Sequence, residues 1–368
     1  MAIGERKTLV KCLAEIGDTR TGNGKRHDLH EVLIISICAI FAGAEGYSDI
    51  AGWAEEREEW LKRYLRLENG IPSHDTINRI FRILDPKKFE QAFRTWISGV
   101  VGVLRENIAI DGKALRGVLA AKGSPVHMVS AFATNLGLVI GQEKVAEKSN
   151  EIIAIPKLLE TLALKGCLVS IDAMGTQREI ARSIRSMGAD YLLAVKGNQP
   201  ELHAALENAF GGPQDSIQNV IQIGHGRHVF QIFRTLPNTR QVDTKKWPDC
   251  SVLGRVDSMR VVNGQTSCIE TRYYIASGEL STASFAAAVR DHWGIENRLH
   301  WSLDVIFGED GRHIVEGHGP QNYSLLTKMV LNLLRQDTSE PKKSLRSRLK
   351  RTGWNDDRLS KILGLEEL

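Results

Sequence analysis

Three short apolar runs, each closed by a charged residue, constrain the fold of this chain most strongly. The runs are IAID (108–111), CLVSID (167–172) and YLLAVK (191–196). Apolar runs of this length are typical of strands that are buried on both faces of a sheet. In open sheets of this kind, the groups that perform chemistry lie beyond the carboxyl ends of the strands. We therefore expect the side chains of Asp111, Asp172 and Lys196 to project from one edge of a sheet.

The segments between these runs predict a hairpin and two helices. HMVSAFATNLGLVIGQEKV (127–145) contains two strand-like runs around a turn, an order that predicts a hairpin. AIPKLLETLALKG (154–166) predicts a helix with Pro156 in its first turn. Thr176 and Glu179 form a T-x-x-E capping box, which predicts the start of another helix. The fold class indicated is α/β, a mixed sheet with flanking helices.

The sequence pattern divides the chain into three regions. Residues 1–105 are predicted to be all helical, residues 106–340 to contain the sheet, and residues 341–368 to form a basic helical segment. Within the second region, residues from about 200 to 280 are rich in irregular strands, which we interpret as an insertion. In the first region, the turn-like ENGIPSHD precedes the helical pattern TINRIFRIL. This order fits a helix-turn-helix module that binds DNA, and it fits a plain helical bundle equally well.

Composition and missing motifs exclude several classes of protein. The chain has 368 residues, of which 42% are hydrophobic and 25% charged, so a globular protein is expected and a disordered one is not. The longest apolar run, from Val32 to Ala44, is too short to cross a bilayer, and no signal sequence is evident. We therefore expect a cytoplasmic protein without a membrane partner. No phosphate-binding loop, H-E-x-x-H or G-x-S-x-G motif occurs, which argues against an ATPase, a zincin protease and a serine hydrolase.

A glutamate lies on the apolar face of a helix predicted around HWGIENRLHWSLDVIFGED (292–310). The residues that form this face are Phe285, Val289, His292, Glu296, Leu299 and Leu303. A carboxylate turned toward a core is costly unless it meets a cation or several donors. We therefore expect this helix to cover the sheet and to turn Glu296 toward Asp111 and Asp172. Three carboxylates in one place need a counter-charge, and oxygen ligands of this type suit Mg²⁺ or Mn²⁺.

Six strings of the sequence carry a resemblance to a known family. They are IAIDGKALRG, HMVSAFAT, NEIIAIPKLLETL, GCLVSIDAMGTQREIA, GADYLLAVKGNQ and VRDHWGIENRLHWSLDVIFGED. These strings resemble the DDE transposases of bacterial insertion sequences, in the subgroup that includes the H-repeat-associated proteins. The resemblance implies an RNase H-like catalytic core, interrupted by the strand-rich insertion, that cuts and joins DNA with two Mg²⁺ or Mn²⁺ ions. By position, Asp111, Asp172 and Glu296 match the three acids that are both catalytic residues and metal ligands.

The resemblance also implies particular partners and DNA contacts. The partners are double-stranded DNA, as the terminal inverted repeats of the element and as target DNA, and further copies of the chain in a homodimer or larger synaptic complex. Five residues are candidates for DNA contacts: Lys113, Arg116, Lys196, His292 and His300. For Lys113, Arg116 and Lys196, an ordinary solvated loop charge is an equally good interpretation. In the basic string KKSLRSRLKR (342–351), a solvated helix face is likewise an alternative to a DNA contact.

One departure from the family pattern leaves alternatives open. Related transposases often carry Y-x2-R-x3-E-x6-K around the third acid, whereas this chain has Val289, His292 and Leu303 at the three basic and aromatic places. An H-x3-E-x3-H transition-metal site that uses His292, Glu296 and His300 is a rival interpretation. Alternative third acids are Asp304, Glu309 and Asp310. At the level of function, the alternatives are an inactive transposase-derived protein that only binds DNA and a general nuclease of RNase H-like fold.

Overall fold

The computed structural model describes residues 7–18, 20–119, 125–146, 150–212, 217–224, 227–262 and 265–367. The helices are α1 (Leu9–Ala14), α2 (Leu29–Phe41), α3 (Tyr47–Glu56), α4 (Glu58–Leu61), α5 (His74–Ile83), α6 (Pro86–Val101), α7 (Glu151–Leu159), α8 (Arg178–Ser186), α9 (Pro200–Ala209), α10 (Thr282–His292), α11 (Trp301–Val305), α12 (Gly319–Gln336), α13 (Leu345–Gly353) and α14 (Asp356–Leu363). The strands are β1 (Asn107–Leu119), β2 (Pro125–Ala133), β3 (Leu138–Lys144), β4 (Leu168–Ile171), β5 (Asp190–Val195), β6 (Ile217–Gly224), β7 (Arg227–Pro237), β8 (Cys250–Val262), β9 (Gln265–Thr266) and β10 (Glu270–Ser277).

One mixed sheet contains all of these strands. The strand order is β3-β2-β1-β4-β5-β10-β8-β7-β6, and β9 pairs with β8. Strands β1, β4 and β5 are parallel, whereas β2 runs antiparallel to both β1 and β3. The half that runs from β3 to β5 is the RNase H-like arrangement that we expected, and the predicted hairpin is confirmed as β2 and β3. The strand-rich region, interpreted as an insertion, extends the same sheet, because β10 pairs with both β5 and β8.

The first strand is longer than its apolar run predicts. The run IAID ends at Asp111, but β1 continues to Leu119 because β2 remains available as a pairing partner. The parallel partner β4 is much shorter and pairs with β1 only from Asn107 to Ile110. Asp111 therefore lies within a strand and not at its end, at the point where the parallel neighbour stops.

One predicted helix start is wrong, and a second is displaced by one residue. Helix α7 begins at Glu151 and not at Ala154, so Pro156 lies inside the helix instead of in its first turn. The helix predicted after Thr176 is present as α8, but its N-cap is Gln177 and not Thr176. A displacement of one residue is within the usual uncertainty of a helix end.

A continuous hydrophobic core joins the helices at the two ends of the chain to the sheet. Helix α12 is almost entirely buried and packs against α2, α5, α6 and β3. The basic C-terminal region contains α13 and α14, and α13 packs against α2. The residues before β1 form helices α1 to α6, as predicted, whereas the domain boundaries at residues 105 and 340 stay predictions. Among the described residues, no helix has both the length and the apolar character needed to span a membrane.

Candidate active site

The register of the parallel strands brings two aspartates together. The last parallel pair between β1 and β4 is Ile110 with Ile171, both of which are buried. The next residue on each strand is an aspartate, Asp111 on β1 and Asp172 after β4. Because the strands are adjacent and parallel, the two carboxyl groups leave the sheet as neighbours.

The carboxyl group of Asp111 lies in a negative and largely buried environment. Burial raises the pKa of Asp111 to about 7, and the nearby negative charges of Asp172, Glu296 and Glu151 contribute to this increase. The backbone N–H of Gly112 donates a hydrogen bond to Asp111 Oδ1 at 2.9 Å, which acts in the opposite direction. These carboxylates therefore repel one another, and one hydrogen bond does not offset the repulsion.

The loop after β4 holds Asp172 in place. The hydroxyl of Thr176, which is fully buried, lies within hydrogen-bond distance of the backbone oxygens of Asp172 and Ala194. Asn198 Nδ2 donates to the backbone oxygen of Ala173 at 2.7 Å, so the segment after β5 is also tied to this loop. Thr176 therefore anchors the Asp172 loop to β5. The sequence had predicted that Thr176 caps α8, and it does not. Lys196, between these anchors at the end of β5, is exposed.

Glu296 lies on a π-helical turn, Ile295–His300, between α10 and α11. The wider turn changes which residues face the core, so Ile295 and Leu299 are buried and Glu296 is exposed. The prediction that Glu296 lies on the buried face is therefore wrong. Burial raises the pKa of Glu296, the Arg272 cation lowers it, and the negative charge of Asp172 raises it again. The third predicted acid thus shares the electrostatic environment of the two aspartates. Single π-helical turns occur frequently at functional sites.

Two residues near these acids were missed from the sequence. Arg272, on β10, is the cation whose charge lowers the pKa of Glu296. Its guanidinium lies 4.9 Å from the centroid of the Trp293 ring. Glu151, the first residue of α7, interacts with both Asp111 and Asp172. Asn150 followed by Glu151 before an apolar helical pattern is typical of a helix start and could have indicated that Glu151 begins α7. The prediction instead took Pro156 to mark the first turn of this helix.

The two histidines predicted as DNA contacts face the sheet. His292 Nδ1 lies 3.0 Å from Ser170 Oγ, on β4, and burial lowers the pKa of His292 to about 4. His300 Nδ1 lies 3.6 Å from Asp111 Oδ2, and burial together with the nearby cations lowers its pKa to about 4. Both imidazoles are therefore neutral at pH 7, so neither presents a positive charge to a phosphate. Their assignment as DNA contacts stays a prediction.

Lys113 lies among three acids that were candidates for the third metal ligand. Its Nζ lies 2.6 Å from Asp304 Oδ1, 3.2 Å from Glu309 Oε2 and 2.9 Å from Asp310 Oδ1. The side chain of Lys113 is only 10% exposed, so these ion pairs occupy it and leave little of it for a phosphate. Arg116, in contrast, is 81% exposed, with a contact of 3.7 Å to Asp310.

These ion pairs also bear on the missing family lysine. Leu303, which stands at the position of that lysine, is 1% exposed and belongs to the core. The adjacent residue, Asp304, is bound by Lys113 from β1. A lysine ammonium, that of Lys113, therefore lies next to the residue that follows the family lysine position, but Lys113 belongs to β1 and not to the helix that carries this position.

The donor atoms around Asp111 fit a hard divalent cation. Carboxylate oxygens are the ligands that Mg²⁺ and Mn²⁺ prefer, and a cation would relieve the repulsion that raises the pKa of Asp111. In the part of the chain that the structure describes, no three His, Cys, Asp or Glu side chains already stand at metal-binding distances from one another. This statement applies to the three predicted acids and equally to the H-x3-E-x3-H alternative.

Comparison with known proteins identifies the family. A family model described as a transposase DDE domain matches residues 105–333, and one described as DDE_Tnp_1-associated matches residues 10–97. The "H repeat-associated putative transposase YhhI" of Escherichia coli strain K12 is 36% identical, over 98% of both chains. "Putative transposase YncI" of Escherichia coli O157:H7 is 38% identical, over 97% of this chain and 94% of its own.

Among solved structures, the piggyBac transposase synaptic complex with hairpin DNA aligns with a TM-score of 0.47 and 10% identity, over 98% of this chain and 78% of that one. The family assignment does not depend on this structure. It follows from the domain match, which spans most of the chain, and from relatives that match nearly its whole length. The chain belongs to the DDE transposase family, together with the H repeat-associated transposases.

Proposed function

We propose that this transposase cuts DNA strands at the ends of an insertion sequence and joins them to target DNA in a metal-dependent reaction. The observation that carries the proposal is the strand register, which makes Asp111 and Asp172 neighbours. Glu296 adds a third carboxylate to the same electrostatic environment. Such a group of acids is unfavourable without a cation and suits the chemistry of phosphodiester cleavage with one.

In this proposal, Asp111, Asp172 and Glu296 would hold two Mg²⁺ or Mn²⁺ ions. When bound, such ions supply Lewis acidity to the attacking and leaving oxygens of the phosphodiester. The protein residues supply position: Thr176 fixes the Asp172 loop, and the Ser170–His292 contact ties α10 to β4. No serine or tyrosine nucleophile is needed, because water and then a DNA 3′ hydroxyl attack the phosphorus.

A basic groove in the helical region supports a DNA substrate. A cavity of about 1120 Å³ lies between the 3-10 turn Gly22–Lys25 and helix α5. Its lining includes three exposed basic side chains, Lys25, Arg26 and Arg79, and no acidic residue among the lining side chains that the structure describes. Because phosphate contacts dominate DNA affinity, we propose that this groove binds the DNA backbone. Arg116 and Lys196, both exposed, would add contacts nearer the acids.

The proposal includes the state in which the protein works. Two ends of the element have to be joined in one event, so we propose that a homodimer or larger synaptic complex acts on the DNA. We also propose that the protein acts in the bacterial cytoplasm, at the nucleoid, because its proposed substrate is DNA.

The test is cleavage of a DNA duplex that carries the inverted repeats flanking the gene. With Mg²⁺, the protein should cut at the repeat ends, and addition of a chelator should abolish cutting. DNA binding without cutting, under conditions in which the folded protein binds Mg²⁺, would support the inactive DNA-binding alternative. Equal cutting of unrelated duplexes would support a general nuclease.

A further inference from the structure

We propose that Glu151 is a fourth metal-facing carboxylate of the site. This inference rests on the proposed function, because it assigns Glu151 to the same ions as Asp111, Asp172 and Glu296. Neither the sequence pattern nor the family resemblance assigns a role to Glu151.

The first step is the position of the carboxyl group. A Cβ atom added to Gly112 would lie 2.0 Å from Glu151 Oε1 and 2.2 Å from its Cδ. The carboxyl group of Glu151 therefore lies directly over the backbone of the residue that follows Asp111. The backbone conformation of Gly112 is one that other residues can adopt, so the glycine is needed here for space. A side chain at this position would collide with the carboxyl group of Glu151.

The second step is the lack of a hydrogen-bond or ion-pair partner for Glu151 among the described residues. Among the described residues, no hydrogen bond or ion pair holds the Glu151 carboxylate, although the side chain is half-buried. Its charge interacts unfavourably with Asp172 and favourably with His127, on β2. Glu151 therefore adds a further negative charge to a group that already lacks a cation. A carboxylate in such a place is unfavourable unless a cation joins the group.

The third step is comparison with a purely structural role. An acidic residue in the first turn of a helix interacts favourably with the helix dipole, by about 0.3–1 kcal/mol. That effect accounts for a glutamate at the start of α7, but it acts equally on a side chain that points into solvent. Glu201 provides such a case: it lies in the first turn of α9, and its side chain is 83% exposed. The helix dipole does not explain why Glu151 instead lies against Gly112.

The experiment measures Mn²⁺ binding to the full-length protein by calorimetry, without DNA and without an activity readout. The variants are Glu151→Gln, the matched control Glu201→Gln, and Asp111→Asn. Glu151→Gln keeps the volume and the first-turn acceptor while it removes the charge. We expect Glu151→Gln to weaken Mn²⁺ binding by about tenfold or more, and Glu201→Gln to leave it unchanged. Circular dichroism and thermal unfolding verify that each variant is folded.

The outcomes separate the inference from the function on which it rests. If Asp111→Asn weakens Mn²⁺ binding and Glu151→Gln does not, the fourth carboxylate is overturned and the proposed active site stands. If Asp111→Asn leaves Mn²⁺ binding at the wild-type affinity, the proposed active site fails and the role of Glu151 fails with it. Weakening by both variants, with the Glu201 control unchanged, supports the inference.

Discussion

Asp111 and Lys113 lie two residues apart on the same face of β1, and their side chains enter two acidic clusters of opposite kinds. The paired cluster consists of Lys113 with Asp304, Glu309 and Asp310. The open cluster consists of Asp111, Asp172, Glu296 and Glu151. In the first, a lysine ammonium contacts every acid, whereas in the second the interactions between the acids are repulsive.

This difference shows that a group of acids is not by itself a metal site. Asp304, Glu309 and Asp310 have the right chemistry and the right position in the sequence for a third metal ligand. Built-in cations already offset these charges, because Lys113 contacts all three acids and Lys328 and Arg312 also interact favourably with Glu309. A divalent ion would have to compete with these cations. Among the described residues, the open cluster has weaker compensation: Arg272 acts on Glu296 and His127 on Glu151, and no cation acts on Asp111 in a resolved way. The following predictions test the contrast between the two clusters.

The largest effect is expected from removal of one charge in the open cluster. Asp111→Asn should lower the rate of Mg²⁺-dependent DNA cleavage by about 1000-fold, because metal stabilisation of the transition state is worth several kcal/mol. Asp310→Asn, the same chemical change in the paired cluster, should alter the rate only a few-fold. Both rates can be measured on the same duplex. Comparable losses in the two variants would remove the distinction between the clusters.

Removal of the cation from the paired cluster should affect folding more than chemistry. Lys113→Met leaves three acids without their shared partner, and loss of one member of a buried pair typically costs about 3–5 kcal/mol. Chemical denaturation should show a decrease in the free energy of unfolding near the lower limit of that range. Lys62→Met is the control, because Lys62 also contacts two acids, Glu58 and Glu59, but lies on the surface. An equally small loss in both variants would show that the paired cluster contributes little to stability.

The open cluster should make the metal-free protein sensitive to pH. The pKa of Asp111 is raised in the folded state from its ordinary value of 3.8 to about 7. Its contribution to stability is therefore fully present below pH 3.8 and is lost as the pH rises toward 7. Asp111→Asn should remove this part of the pH dependence, by roughly 4 kcal/mol, and Mg²⁺ should restore stability to the wild type at neutral pH. Identical stability profiles for the two proteins between pH 4 and 7 would contradict the repulsion.

The smallest effect concerns where the DNA is held. If the open cluster cuts DNA and the basic groove holds it, Arg26→Ala combined with Arg79→Ala should weaken DNA binding about tenfold in moderate salt. The slope of log affinity against log salt should also fall by about 2, because two phosphate contacts are lost. Lys62→Ala should change neither quantity, since its charge is already paired. An unchanged salt slope would place the DNA elsewhere on the molecule.

The strands and the hairpin could be predicted from the sequence, because the local pattern of apolar residues determines them. The apolar runs before Asp111 and Asp172 and the hairpin that follows the first run depend on residues close together in sequence. Their periodicity therefore indicated the strands directly. The parallel pairing of β1 with β4 then makes the two aspartates neighbours.

The parts that depend on distant contacts could not be predicted from local pattern. Lys113 and Asp310 are separated by 197 positions, so nothing in the local sequence indicates their ion pair. The π-helical turn shifts Glu296 off the face that a regular 3.6-residue period assigns to it. Thr176 carries the correct capping signal, but its hydroxyl bonds to the ends of two strands instead. In each case a tertiary contact outweighs a local preference.

The most direct test of the central claim is anomalous diffraction from crystals of the protein soaked in Mn²⁺. We predict an anomalous peak at about 2 Å from carboxylate oxygens of both Asp111 and Asp172, with Glu296 or Glu151 turned toward it. No peak is expected beside Asp304, Glu309 or Asp310. A Mn²⁺ ion in the paired cluster, with the oxygens of Asp111 and Asp172 free of metal, would contradict the account.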